Sequence, residues 1–166
     1  MTSNDVSSLE VGDLAPDFVL PSTTSELVQL FSITDGPIIL FFFTDTFSFL
    51  SLEFTKIFES LHESLGLMEV TIVGVSTEPV ETLCTFADEE RIQYILLSDF
   101  DRQVSRSYGT LAERISNLLM VTRPGIFVID QERRIIFKWI QEESSPVPDI
   151  TQIGDLVLKL QNDSCD

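Results

Sequence analysis

The chain has one histidine, two cysteines and three lysines in 166 residues. Each shortage removes a class of chemistry. With His62 alone, no histidine-based metal set or catalytic triad is available, and its place between Leu61 and Glu63 fits a solvated helix position. The cysteines, Cys84 and Cys165, form neither a CxxC pair nor a metal-ligand spacing, so no metal and no cofactor is expected from them. Basic residues number 10 against 27 acidic ones, a net charge of -17. A field of that sign repels nucleic acid and anionic membranes, which excludes both as partners. Scarce lysine with abundant Asp and Glu also resembles proteins of salt-in halophiles, where high salt screens the self-repulsion. No apolar run approaches the roughly 18 residues that a membrane span needs. The N-terminus is neither basic nor apolar, so a cytoplasmic location is expected.

What is present is a packed globule. Hydrophobic residues make up 43% of the chain and phenylalanine occurs thirteen times, well outside the composition of disordered chains. The length suits a single domain over 1–166, with loose tails expected at 1–10 and 162–166. Val11–Leu20 reads as a turn leading into a short strand, with Leu27–Leu30 its hairpin partner across Ser22–Glu26. Ile38–Phe43 is an unbroken apolar run, the mark of a strand covered on both faces. A Thr/Asp/Ser turn follows, then a helix with Leu50, Phe54, Ile57, Phe58, Leu61 and Leu65 at steps of three and four, ending at Gly66. Val70–Ser76 is a second buried strand, completing a right-handed βαβ unit.

A helix from Pro79 carries Val80, Leu83, Cys84 and Ala87 on its inner face. Tyr94–Leu97 is a short strand, and Val104–Tyr108 a short helix stopped by Gly109. Residues Thr110–Thr122 read as a loop. Gly125–Asp130 and Ile135–Trp139 form a second hairpin, and a last helix starts at Asp149 with Ile150, Ile153, Leu156, Val157 and Leu160 inward. The expected fold class is α/β, a mixed central sheet with helices on both faces and an N-terminal β-hairpin.

Six segments in register then point to a family: Gly12-Asp13-x-Ala15-Pro16-Asp17-Phe18, the strand-turn-helix from Ile38, Val73-Gly74-Val75-Ser76, Leu96-Leu97-Ser98-Asp99, Ser107-Tyr108-Gly109 and Phe127-Val128-Ile129-Asp130. Over residues 9–160 the chain resembles the peroxiredoxins, the alkyl hydroperoxide reductase/thiol-specific antioxidant branch of the thioredoxin-fold superfamily. The resemblance implies a thioredoxin-like fold and thiol-dependent peroxidase activity. It further implies a peroxidatic cysteine in the first helical turn, where the helix dipole and an arginine favour the thiolate.

The family pattern there is Pro-x-x-x-Thr-x-x-Cys. On this chain it falls on Phe43, Phe47 and Leu50, or one residue later on Thr44, Ser48 and Ser51. Neither register holds a cysteine, and a serine without a base has no redox chemistry. The family arginine is matched by Arg123 displaced by one residue, and Pro124 stands where related folds place a cis-proline. Cys84 reads as a core residue and Cys165 as a tail thiol. The resulting expectation is a family member without the peroxidatic step, acting as a scaffold or a binding or regulatory homologue. The alternative is a thiol-dependent peroxidase that uses Cys84 or Cys165. Phe47, Phe49 and Leu52 lie off the core stripe of the helix, and Phe49 and Leu52 mark an expected homodimer interface.

Overall fold

The computed structural model describes residues 9–65, 69–142 and 146–163. Its centre is a five-stranded mixed sheet in the order β5-β4-β3-β8-β9. Strands β3 (Ile38–Phe42), β4 (Thr71–Ser76) and β5 (Ile95–Ser98) run parallel, while β8 (Gly125–Ile129) and β9 (Ile135–Ile140) complete it antiparallel. β1 (Val19–Pro21) and β2 (Leu27–Gln29) form the expected N-terminal hairpin.

All five residues of β3 are buried, and successive side chains serve opposite faces as the strand's two-residue period requires. Ile39, Phe41 and Phe43 join one core with α1 (Phe49–Ser64), α2 (Val80–Glu90) and α4 (Ile150–Asp163). Ile38, Leu40 and Phe42 join the other, beneath the N-terminal hairpin and α3 (Gln103–Ser107). Both crossovers, through α1 and α2, advance from β3 to β4 to β5, which sets these helices on one face.

The first core is aromatic. The Phe41 ring stacks on Phe58 at 4.0 Å between centroids and meets Phe54 and Tyr94 edge-on. Gly74, paired with Phe41 across the sheet, makes that stack possible. A Cβ there would stand 2.7 Å from Phe41 Cζ and 2.8 Å from Leu96 Cδ2, closer than packed carbons approach.

Four sequence expectations change. The buried stripe of α1 is Ser51, Phe54, Thr55 and Phe58, so Leu50 (71% exposed) and Ile57 lie outside it. Leu52 is partly buried against the core and does not point away from it. Phe86 occupies the inner face of α2 beside Leu83, leaving Cys84 half-buried. Thr110–Thr122 is no loop: β6 (Leu111–Ile115) and β7 (Leu118–Thr122) form a hairpin around Ser116-Asn117. Gly66 and Cys165 lie outside the described residues, as does most of each expected tail. At the start of the described chain, the Leu9 carbonyl accepts a hydrogen bond from Lys138 Nζ on β9. His62 is partly exposed, with its ring 6.2 Å from that of Tyr94. Among the described residues no helix is long and apolar enough to cross a membrane.

Candidate functional site

The site is built where β3 gives way to α1. Phe43 still donates to the Val75 carbonyl and stays fully buried, packed on Phe41 and Phe86. The chain then turns through Thr44, Asp45, Thr46 and Phe47 to Ser48, the residue capping α1. Asp45 Oδ1 accepts from the amides of Phe47 (3.1 Å) and Ser48 (2.7 Å). The Asp45 amide donates to Ser51 Oγ, and Ser48 Oγ accepts from the Ser51 amide. Asp and Ser are selected at such a turn because their short side chains satisfy the amides that a helix start leaves open. Asp45 and Ser51 are thereby committed to the turn, and both are buried.

The opposite wall comes from the β6–β7 hairpin and the segment entering β8. Thr44 Oγ1 donates to the Thr122 carbonyl at 2.9 Å, and Thr122 Oγ1 donates to Thr110 Oγ1 at 2.7 Å. The Arg123 amide donates to the Thr110 carbonyl. Buried threonines thus hold Arg123 beside the helix start. Arg102 anchors the hairpin from outside, its Nε donating to the Met120 carbonyl.

Between these walls lies a cleft of about 620 Å3, lined by Phe47, Leu50 and Ser51 on the helix side and by Arg114, Arg123 and Pro124 across from them, among others. Seven of the eight pocket positions expected from the sequence therefore meet in one place: Thr44, Phe47, Ser48, Leu50, Ser51, Arg123 and Pro124. Phe43 does not, because the pleat of β3 turns it into the core. Pro124 follows a trans peptide bond. Phe49, Leu52 and Cys84 do not line the cleft. Asp45 and Arg114 were not singled out by the sequence. Asp45-x-x-Ser48 before an apolar helix was a usable capping signal, whereas Arg114 had none once its segment read as a loop. Among the described residues no group of three or more His, Cys, Asp or Glu side chains is placed to hold a metal.

The comparisons with known proteins agree with this architecture. The AhpC/TSA family model matches residues 11–138. The chain belongs to the AhpC/TSA family. Among its relatives, peroxiredoxin Bcp of Escherichia coli is 30% identical over 132 residues, covering 76% of this chain and 83% of that protein. A protein named as a peroxiredoxin in Mycobacterium tuberculosis is 31% identical over 129 residues, covering 77% and 83%. The solved structure of peroxidoxin BcpB from Mycobacterium tuberculosis superposes with a TM-score of 0.76 at 28% identity, covering 92% of this chain and 96% of the other. A peroxiredoxin-like protein from Aquifex aeolicus reaches 0.81 at 21% identity, covering 92% and 88%. The chain is therefore a thioredoxin-fold protein of the peroxiredoxin family.

One carboxyl near this family site carries an electrostatic cost. Glu78, on the turn from β4 to α2, has its pKa raised, first by burial and second by the Asp45 carboxylate, against the lowering influence of Arg102. A carboxyl whose folded pKa exceeds its ordinary value near 4.5 binds more protons folded than unfolded. Stability then falls as pH rises through that window, and the penalty is complete above the folded pKa. Glu78→Gln removes the ionisation. Relative to the parent chain the variant therefore gains stability between pH 4 and pH 7, as denaturant unfolding at the two pH values reads directly. An equal difference at both would contradict the assignment.

Proposed function

We propose that this peroxiredoxin-family chain keeps the family architecture without the peroxidatic step and serves as a scaffold or a binding or regulatory homologue. One observation carries the reading: among the described residues, none that lines the cleft at the start of α1 has a sulfur atom. Leu50 and Ser51 occupy the first turn, where a helix N-terminus would favour a thiolate. An alkyl side chain has no nucleophile. The Ser51 hydroxyl is occupied by the Asp45 amide, and no histidine lines the cleft to take its proton. Peroxide reduction needs an atom that accepts oxygen and is then reduced again, and serine has no such cycle. Cys84, half-buried on α2 and outside the cleft, lacks the helix-start setting that activates such thiols.

The test is peroxide consumption. Fully reduced protein at high salt, given hydrogen peroxide or an organic hydroperoxide with a thiol reductant, is expected to consume it at the background rate, with or without prior alkylation. Rapid turnover abolished by alkylation would overturn the reading.

The same end of α1 supports a homodimer. Phe47, Phe49 and Leu50 are each 70–73% exposed, and large apolar side chains grouped at one place on a surface mark a contact. In this reading Phe49 is buried against a second copy. Phe49→Asp would place a charge in that contact, so sedimentation is expected to shift from dimer to monomer. An unchanged profile would remove the interface.

A further inference from the structure

Two cations line the cleft. Arg114, exposed on β6, and Arg123, half-buried before β8, both line it. Among the described residues neither guanidinium makes an ion pair or a side-chain hydrogen bond. In a chain with 27 acidic residues and 10 basic ones, two arginines lining one cleft without a side-chain partner among the described residues are not the outcome of a general charge balance. Phe47, Leu50, Ile115 and Leu118 supply an apolar lining beside them.

We infer that the cleft binds a small organic monocarboxylate, with its carboxylate between Arg114 and Arg123 and its apolar body against Phe47, Leu50, Ile115 and Leu118. The inference rests on reading the cleft as a binding site, and it names the ligand class. Guanidinium and carboxylate match as planar, bidentate partners. The cleft volume falls within the roughly 300–1,000 Å3 typical of small-molecule sites, which are mostly apolar with a few convergent polar groups. The amide of Leu50, in the first helical turn, has no acceptor within the helix and adds a donor on that side.

Two acidic residues also line the cleft. The Asp45 carboxylate is buried and already accepts two amides of the turn, and Glu142 is exposed. The overall charge of -17 opposes any anion, but charges beyond about 8 Å are largely screened at physiological salt. The arginines in contact with the ligand are not. That balance favours a single charge on an apolar body over inorganic phosphate, which carries more charge and gains nothing from the apolar wall.

Decanoate is a suitable probe, titrated calorimetrically into the reduced full-length chain without peroxide, with decan-1-ol and inorganic phosphate as comparisons. Saturable decanoate binding is expected, at least tenfold tighter than either comparison. Arg114→Gln and Arg123→Gln should each weaken it about tenfold or more. Arg106→Gln, an equal charge change on exposed α3, should leave it unchanged. Amide chemical shifts of the unmodified chain provide a second reading, with decanoate shifting residues 48–51 and 114–118. No saturable binding at millimolar decanoate, equal affinity for phosphate, an equal loss in Arg106→Gln, or shifts confined elsewhere would each overturn the inference. The peroxide assay is separate. Turnover there would overturn the non-peroxidase reading, while failed decanoate binding would overturn only the ligand.

Discussion

Helix α1 is held to strand β3 by the stack of Phe41 on Phe58, with Phe54 edge-on to both rings. Each ring buries on the order of 150–250 Å2, and aromatic pairs contribute about 0.5–1.5 kcal/mol beyond their area. The stack fixes where the helix lies over the sheet, and therefore where its first turn stands. Gly74 leaves room for it beneath, and Tyr94 closes its side with its hydroxyl bonded to the Thr55 carbonyl. The cleft exists because the helix cannot slide.

From that fixed helix the turn before it follows by hydrogen bonding. Phe43 continues the strand into the core, so the chain must reverse between Thr44 and Ser48. Asp45 and Ser48 supply the acceptors that make the reversal, while Thr44 ties it to Thr122 and so to Arg123. The arrangement presents a helix start, two arginines and an apolar wall to one space. In a peroxidase of this family such a setting would serve a thiolate. Here the first-turn positions are an exposed leucine and a serine bonded within the turn.

Much of this was legible in the sequence. Ile38–Phe43, Val70–Ser76 and Gly125–Asp130 read as buried strands because a strand covered on both faces needs an unbroken apolar run. Helix α1 was legible as an element but not in phase. Leu50 and Ile57 fit the spacing of Phe54, Phe58 and Leu61, whereas the true stripe includes Ser51 and Thr55. Those hydroxyls can be buried because each has a partner, the Asp45 amide and the Leu52 carbonyl respectively, and hydropathy does not record partners. The β6–β7 hairpin was hidden because Leu118-Leu119-Met120 does not alternate and Leu119 and Met120 are exposed. Only the Ser116-Asn117 turn signalled it. Arg114 lies on that hairpin and carries no sequence signal of its own.

We propose that the fold still provides the setting for a reactive thiol although neither Leu50 nor Ser51 is a cysteine. It is tested by placing a cysteine back at Leu50 and, separately, at Ser51, in a chain where Cys84 and Cys165 are serine, and measuring thiol pKa from the pH dependence of alkylation. An unperturbed cysteine titrates near 8.5. A value well below that is expected at one of the two positions, from the helix N-terminus and Arg123. Ordinary or raised values at both would show that the setting, and not only the sulfur, has been lost.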